Sequence, residues 1–406
     1  MSLNTKRKIF VSAYACEPNS GSEPGVGWNW ILQMSRFFEI WVLTRANNAP
    51  TIKMEIDTQK IENVHFVYHD PPKLILKMKK FIGTHFFYLF WQFGSNRLVK
   101  EYMIENDITI FHNLTFGNIL LPISSYGRKN FFVWGPVGGG AVIPYSYTKK
   151  FQVRDRLKEF FRRIYVIIFR KFFLKAKLKD ANLILCKDQM TMNLVPSVYR
   201  KKAILFTDVA VDNNLSVKPS FNDDKKDIRF ISVGVLESFR GFDVLIDAFS
   251  LARSRTPNIK LEIVGDGYLK DKIKSIIAKK KLENSITLSG KISFADYHKK
   301  INECDVIINS CLKEGGVTLS FDSITYSKPL ICIDTGGYTK SFKDISIVLP
   351  LISRWSLVDE MANEISKLTD QKYRENLISK LQGHEDKLSW EAKGDQIKEL
   401  FMSLVS

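Results

Sequence analysis

The chain has 406 residues, of which 45% are hydrophobic and 25% charged, as expected for a soluble globular protein of two or three domains. It contains no run of about 18 apolar residues, so the composition excludes a membrane-spanning helix. The net charge of +17 lies mainly in residues 1–215, which hold 31 Lys and Arg against 16 Asp and Glu, so we expect an anionic partner.

The cysteines and the N-terminal residues indicate the cellular compartment. An odd number of cysteines without a C-x-x-C pair predicts reduced thiols and neither disulfides nor a zinc site. The N-terminal residues are basic but lack the apolar region and cleavage site of a signal peptide, so export is not expected. Both features predict a cytoplasmic protein. The five cysteines are Cys16, Cys186, Cys304, Cys311 and Cys332.

Short runs rich in β-branched and aromatic residues alternate with helical segments in the first half of the chain. This pattern is typical of an α/β domain with a parallel sheet. A Gly-rich loop follows the first strand, and a helix is predicted near 25–37. We predict a Rossmann-like domain over residues 1–215. Its predicted strands are 8–15, 39–45, 64–69, 108–113, 131–136, 182–187 and 202–206.

A polar segment with turn residues, 213–227, predicts a linker, and the alternating pattern begins again after it. Apolar residues at helical spacing in 241–255 predict a helix between the first two strands of this half. We predict a second Rossmann-like domain over 216–387, facing the first across a cleft, with ligands at the carboxyl ends of the strands. Its predicted strands are 228–236, 260–267, 285–290, 305–310 and 329–337.

Two acids, Glu314 and Asp322, lie eight residues apart in the segment CLKEGGVTLSFD (311–322). Gly315 and Gly316 follow the first acid, and glycines allow a backbone to approach a ligand closely. The helix expected after them presents free N–H groups that suit a phosphate. A solvated helix start that favours acids is the structural alternative for this spacing.

Three segments of the second half resemble the nucleotide-sugar-binding domain of retaining GT-B glycosyltransferases of family 4: SVGVLESFRGFDVLIDAF, LEIVGDG and EGGVTLSFDSITYSKPLICIDTGGY. CEPNSGSEPGVGWNW (16–30) resembles the Gly-rich loop after the first strand of many members. The final segment, 388–406, resembles the part that returns to the first domain. The resemblance implies a first domain that binds the acceptor and a second that binds the donor. It also implies transfer of a hexose-type sugar with retention of configuration.

The resemblance assigns roles to individual residues. It implies that Glu314 meets the donor sugar and that Asp322, where the family usually has Glu, meets the ribose. Arg240 stands where the family usually has Lys and would clamp the diphosphate, as a guanidinium can do with two hydrogen bonds. Val235 stands where the family usually has Arg. His112, at the end of a predicted strand, would touch the donor sugar, with a satisfied structural histidine as the alternative.

Glycines in both halves are predicted to admit the donor or the acceptor. A Gly-rich turn is weak evidence by itself, because many ordinary turns contain glycine. A plain surface turn is therefore the alternative for the loop GPVGGG (135–140). The predicted donor-binding glycines are Gly21, Gly25, Gly234, Gly265, Gly315 and Gly316, and the predicted acceptor-side residues are Glu23, Gly138 and Gly139.

A basic and aromatic stretch, 149–179, holds twelve Lys or Arg and seven Phe or Tyr. This composition suits a helix that dips into a bilayer while its cations meet anionic lipid, and 73–93 has a similar character. We predict peripheral attachment at the inner face of the membrane and a lipid-linked or glycan acceptor. An amphipathic helix packed on its own domain is the alternative. Nucleic acid is disfavoured because no recognised nucleic-acid module occurs.

Motifs of other enzyme classes do not occur in the sequence, which has no D-x-D, no G-x-S-x-G and no P-loop. The absence of D-x-D disfavours the metal-dependent single-domain glycosyltransferases, and with the resemblance it implies a metal-independent glycosyltransferase of polysaccharide or glycoconjugate biosynthesis. Its nucleotide sugar is a substrate, and no cofactor is expected. The alternatives are a GT-B-type sugar-nucleotide epimerase and a non-catalytic nucleotide-binding scaffold.

Overall fold

The computed structural model describes residues 6–124, 130–172, 174–215, 227–313, 317–336 and 339–404. The chain forms two compact units. The first unit consists of Met1–Gly140, Val166–Asp208 and Trp390–Ser406, and the second unit of Ala141–Tyr165 and Val209–Ser389.

The first unit contains a seven-stranded parallel sheet with the strand order β3-β2-β1-β4-β5-β6-β7. This is the Rossmann order 3-2-1-4-5-6 with one strand added at the edge. In the centre of the sheet, Ile9 lies between Ile40 and Ile110. The strands are β1 (Arg7–Ser12), β2 (Phe38–Thr44), β3 (Val64–Tyr68), β4 (Ile110–Asn113), β5 (Phe131–Val137), β6 (Leu183–Cys186) and β7 (Ala203–Leu205).

The second unit contains a six-stranded parallel sheet with the order β10-β9-β8-β11-β12-β13. This again is the order 3-2-1-4-5-6. The strand order reverses between β8 and β11, and open α/β sheets bind ligands at such a switch point. The strands are β8 (Ile228–Val233), β9 (Ile259–Val264), β10 (Ile286–Gly290), β11 (Val306–Asn309), β12 (Leu330–Ile333) and β13 (Ile347–Leu349).

Helices connect the strands in both units. The α-helices are α1 (Ser22–Ser35), α2 (Ala49–Gln59), α3 (Lys73–Gly94, non-helical at Gly83), α4 (Asn96–Glu105), α5 (Tyr145–Thr148), α6 (Val153–Phe172), α7 (Leu174–Asp180), α8 (Gln189–Leu194), α9 (Phe242–Arg255), α10 (Lys270–Lys279), α11 (Phe294–Glu303), α12 (Val317–Thr325), α13 (Thr339–Phe342), α14 (Arg354–Lys367), α15 (Gln371–Leu381) and α16 (Trp390–Ser403). Short 3₁₀ turns occur at Ala46–Asn48, Ser197–Lys202, Asn213–Leu215 and Ser238–Arg240.

Local sequence explains where several of these helices begin. Asp188, Ser293, Ser353 and Asp370 are N-caps whose side chains accept a backbone N–H of the first turn. Each such cap stabilises its helix by about 1 kcal/mol. The central strands β4, β6, β11 and β12 are buried along their whole length, because helices cover both faces of a parallel sheet.

Each unit has its own apolar core. The core of the second unit includes Ile143, Tyr147 and Phe151 together with residues of β8, β9 and α9. Burial of these side chains explains why 141–165 belongs to the second unit, although the sequence analysis assigned all of 1–215 to the first domain. In the first unit, α16 packs on α1.

The prediction of two Rossmann-like α/β domains is confirmed. Each strand predicted from the sequence overlaps a strand of the structure, and β13 was not predicted. All five cysteines are free and buried. Among the described residues, no helix combines the length and the apolar character needed to span a bilayer.

Candidate functional site

Two loops meet at the switch point of the second unit: the β8 loop (234–241) and the β11 loop (310–313). Ser310 Oγ donates to the carbonyl oxygen of Arg240 at 2.8 Å. The backbone N–H of Leu312 donates to the carbonyl oxygen of Phe239 at 2.9 Å. The loops that follow two adjacent strands are therefore fixed to each other at the edge where a ligand is expected.

Arg240 lies at the end of a 3₁₀ turn in the β8 loop. Its guanidinium carbon lies 5.1 Å from the centroid of the Phe239 ring. The side chain is half-buried, and its Nε is buried without a hydrogen-bond partner among the described residues. An unpartnered buried N–H is costly for a folded protein, so this donor suits a ligand oxygen.

The predicted glycine Gly234 lies directly beside Arg240, and the predicted glycine Gly265 lies against Gly234. A Cβ on Gly234 would lie 3.4 Å from Cδ and Nε of Arg240. Gly265 has a φ of +140°, and a Cβ there would lie 1.9 Å from the carbonyl oxygen of Gly234, so no other residue fits at Gly265. The structure thus brings Arg240, Gly234 and Gly265 together. Val235, next in the loop, is 49% exposed.

Lys313 is a cation at this place that sequence reasoning missed. Its Nζ lies 4.8 Å from the centroid of the Phe239 ring and 2.6 Å from Oε1 of Glu159 on α6. Burial lowers the pKa of Lys313, and the charge of Arg162 lowers it further, while Glu159 raises it. The only signal in the sequence was the position of Lys313 directly before Glu314.

The predicted sugar-contacting acid and its two glycines, Glu314, Gly315 and Gly316, lie outside the described residues, as does Gly337. The residues on both sides of this segment are described. The segment follows Lys313 of the β11 loop and precedes Val317, the first residue of α12.

Asp322 lies in α12 and is half-buried. The hydroxyl of Tyr297 on α11 donates to its Oδ2. Burial raises the pKa of the Asp322 carboxyl to about 7; the hydrogen bond from Tyr297 opposes this shift, and the charge of Asp212 adds to it. One oxygen of Asp322 is therefore engaged within the second unit.

In the first unit, loops after β1 and β4 meet in the same way. The backbone N–H of Ala15 donates to Thr115 Oγ1 at 3.0 Å. The backbone N–H of Phe116 donates to Oε1 of Glu23, in the first turn of α1, at 2.5 Å. The predicted acceptor-side carboxylate of Glu23 thus holds the β4 loop (114–118) in place.

The glycines of the first unit have packing roles in this structure. Gly21 is exposed and precedes α1, while a Cβ on Gly25 would lie 1.9 Å from the carbonyl oxygen of Ser20. Gly138 forms a β-bridge with Asn118, and a Cβ on Gly139 would lie 2.2 Å from Oδ1 of that asparagine. Gly138 and Gly139 therefore lie against the β4 loop, which Glu23 also contacts.

His112 is buried in β4 with no exposed surface. Its Nε2 donates to the carbonyl oxygen of Gly135 at 2.6 Å. The rings of Trp30 and Phe401 lie 5.7 and 5.3 Å from the imidazole. Burial lowers the pKa of His112 to about 4, so the ring is neutral at pH 7. Its other ring nitrogen, Nδ1, is buried without a hydrogen-bond partner among the described residues, so the contact of His112 with the donor sugar stays a prediction.

Comparison with known proteins identifies the fold. Residues 215–382 match the model of the family Glycosyl transferases group 1. The crystal structure of HepE from Anabaena, in complex with UDP, superposes on 98% of this chain and 100% of its own, with a TM-score of 0.60 and 14% identity. The chain has the GT-B fold. HepE has also been solved with UDP and glucose.

Two curated relatives match part of this GT-B chain. An uncharacterized glycosyltransferase of Methanocaldococcus jannaschii is 30% identical over 138 residues, 34% of this chain and 32% of the relative. The poly(glycerol-phosphate) alpha-glucosyltransferase of Bacillus subtilis is 30% identical over 153 residues, 37% of this chain and 21% of the relative. The chain thus matches a third or less of the length of these two relatives.

The first three turns of α6 belong to the second unit of this GT-B protein. Asp155 accepts a hydrogen bond from Ser238 Oγ in the β8 loop, and Glu159 pairs with Lys313 in the β11 loop. The other side of these turns is apolar and open. Leu157, Phe160 and Phe161 are 50%, 55% and 62% exposed, beside exposed Arg and Lys side chains.

The pKa of Asp322 gives a stability prediction with a defined sign. Because its pKa rises from 3.8 to about 7 on folding, the folded chain holds a proton that the unfolded chain releases between about pH 4 and pH 7. The free energy of unfolding therefore falls as the pH rises through that window. Asp322→Asn removes the titration and keeps an acceptor for Tyr297. We expect the difference in Tm between Asp322→Asn and wild type to be about 2–8 °C larger, in favour of the variant, at pH 8 than at pH 5.

The matched control is Asp271→Asn, which changes an exposed carboxylate in the first turn of α10. Its Tm relative to wild type should change little between the two pH values. Thermal unfolding followed by circular dichroism gives both comparisons. If the Tm difference from wild type changes between pH 5 and pH 8 by the same amount in both variants, the raised pKa of Asp322 is contradicted.

Proposed function

We propose that this protein is a glycosyltransferase that moves a hexose-type sugar from a nucleotide-sugar donor to a glycan or lipid-linked acceptor, with retention of configuration. The observation that carries the proposal is Nε of Arg240, which is buried and has no hydrogen-bond partner among the described residues. It lies at the switch point of the second unit, against Gly234, within the segment that matches the glycosyl transferase model. A cation placed there meets the charge that a departing diphosphate develops.

In the proposed reaction, the hydroxyl oxygen of the acceptor forms a bond to the anomeric carbon of the donor sugar. The bond between that carbon and the diphosphate oxygen breaks, and the acceptor proton passes to the departing phosphate on the same face. Arg240 donates hydrogen bonds to the phosphate oxygens as they gain charge. Glu314 holds hydroxyls of the donor sugar, and Asp322 holds the ribose. The protein needs no nucleophile of its own.

Protein groups neutralise the leaving group in this proposal, without a cofactor or a metal. The described residues contain no group of three side chains suited to bind a metal ion. Arg240 and the backbone N–H groups at the start of α12 supply the positive charge instead. Addition of EDTA is therefore expected to leave the rate of transfer unchanged.

Incubation with UDP- and GDP-sugars tests the proposed function. HepE, a structural neighbour, has been solved with UDP and with glucose, so UDP-glucose is the first donor to test. Transfer of sugar, or slow hydrolysis of the donor without an acceptor, supports the proposal. An isomerised donor would indicate an epimerase, and binding without any turnover would indicate a nucleotide-binding scaffold. Either result would overturn the proposal.

We further propose that the protein attaches peripherally to the inner face of the membrane through α6, in support of a lipid-linked acceptor. The exposed aromatic residues Phe160 and Phe161 suit insertion among lipid headgroups. The exposed cations Arg156 and Lys158 lie nearby in the helix and suit anionic lipid, each contributing about 1 kcal/mol. We expect the quadruple variant R156Q/K158Q/F160S/F161S to bind anionic liposomes at least about tenfold more weakly.

Sedimentation with liposomes of phosphatidylglycerol and phosphatidylcholine measures this difference. The control variant, Lys274→Gln with Lys279→Gln, removes two exposed cations from α10 and should bind as wild type does. Unchanged sedimentation of the α6 variant, or an equal loss in the control, would contradict attachment through α6.

A further inference from the structure

Two cations from different loops lie against one ring at the candidate donor site. The guanidinium carbon of Arg240 and Nζ of Lys313 lie 5.1 and 4.8 Å from the centroid of Phe239. The hydrogen bond from the N–H of Leu312 to the carbonyl oxygen of Phe239 holds the β11 loop beside the β8 loop. Backbone contacts therefore hold Lys313 against the same ring as Arg240.

The β8 loop supplies only part of the charge that a diphosphate requires. A nucleoside diphosphate departs with at least two negative charges, and Arg240 carries one positive charge. Val235, in the same loop, is apolar and 49% exposed. A second cation from outside the β8 loop would complete the neutralisation, and Lys313 is the cation that shares the Phe239 ring with Arg240.

Glu159 orients Lys313. Its Oε1 lies 2.6 Å from Nζ of Lys313, and the two side chains are 7% and 17% exposed. A buried ammonium is unfavourable without such a partner, and Glu159 raises the pKa of Lys313 against the effect of burial. An ammonium has three N–H donors, so the pair with Glu159 leaves donors for a ligand. The pair therefore favours the charged form of the lysine and fixes its position before a ligand arrives.

We infer that Lys313 is a second cation of the diphosphate site and binds the donor phosphates beside Arg240, with Glu159 as the residue that positions it. The inference rests on the proposed glycosyltransferase function. It adds a role for the β11 loop that the proposed function did not include, the recognition of the diphosphate.

Binding of nucleotides to the full chain tests the inference. We compare Lys313→Met with wild type, because Glu159 keeps Arg162 as an ion-pair partner, at 3.6 Å, when Lys313 is removed. The measurement is isothermal titration of UDP and GDP and, in parallel, of UMP and GMP. We expect the nucleoside diphosphate that binds wild type to bind Lys313→Met about 10- to 100-fold more weakly. Monophosphate affinity should change less than threefold.

Two control variants make the outcomes distinct. Lys279→Met, at an exposed position of α10, should leave all affinities unchanged. Lys313→Arg keeps the charge and should bind diphosphates within about tenfold of wild type. Equal diphosphate affinity of wild type and Lys313→Met, or an equal loss for mono- and diphosphates, would overturn the inference and leave the proposed function standing. Failure of wild type to bind any nucleoside diphosphate would overturn both.

Discussion

Replacing Arg240 by Ala is expected to lower kcat/KM for sugar transfer about 100- to 1000-fold. In the proposed reaction the guanidinium donates to oxygens that gain charge as the diphosphate departs, and removal of one such donor typically costs this much. Arg240→Lys keeps the charge but loses the two-pronged geometry, so an intermediate loss of about tenfold is expected. Steady-state rates with a fixed acceptor and varied donor measure both changes.

This experiment needs one control for the loss of a positive charge and one check that the variant stays folded. Arg97→Ala removes an exposed arginine of α4 whose partner is Glu101, and it should change neither rate nor Tm noticeably. Arg240→Ala should retain the Tm of wild type within a few degrees, because the side chain packs mainly on the surface of Phe239. A rate within threefold of wild type in a folded Arg240→Ala protein would exclude Arg240 from the site.

Strand positions could be read from the sequence because their signal is local. The runs that became β1, β2 and β8 combine β-branched residues with flanking turn residues, and each prediction overlaps its strand. β13, Ile347–Leu349, was not predicted, although β7, which also has three residues, was, so its length alone does not explain the miss. The two parallel sheets follow from the alternation of strands and helices, which requires crossover connections.

Contacts between distant parts of the chain gave no comparable signal. Glu159 and Lys313 are 154 residues apart, and neither residue type nor spacing marks them as a pair. The same holds for Ser238 and Asp155, which join the β8 loop to α6. The assignment of 141–165 to the second unit depends on which core buries its apolar side chains, and periodicity does not encode that choice.

Glycine patterns indicated where other atoms come close to the backbone, but not whether those atoms belong to a ligand or to the protein. Gly25 and Gly139 were predicted to admit a ligand, yet a Cβ at either position would collide with the protein itself, at Ser20 and Asn118. Gly265 also makes room for protein, but there the carbonyl group belongs to Gly234, which lies beside the candidate cation. A sequence shows that space is needed and does not show whether ligand or protein fills it.

Glu314→Ala is expected to abolish sugar transfer, with a loss of kcat of about 1000-fold or more, while the protein stays folded. In the proposed reaction its carboxylate holds donor-sugar hydroxyls in the geometry that the acceptor attacks. A donor sugar that is not held in this geometry reacts more slowly, because the reacting atoms are no longer fixed close to each other. In the sequence, Glu314 lies between Lys313 and the first residue of α12. Rates of transfer and of donor hydrolysis measure the loss.

Nucleotide binding separates the sugar contact from the diphosphate contacts. UDP lacks the donor sugar. If UDP is the nucleoside diphosphate that binds, its affinity should therefore be equal in wild type and Glu314→Ala. Glu314→Gln retains one acceptor oxygen and should keep more activity than Glu314→Ala. Glu283→Gln, at an exposed position of the same unit, is the matched control and should leave the rate unchanged. If Glu314→Ala loses nucleoside diphosphate affinity and turnover together, the carboxylate acts on the nucleotide or the fold, and its assignment to the sugar is wrong.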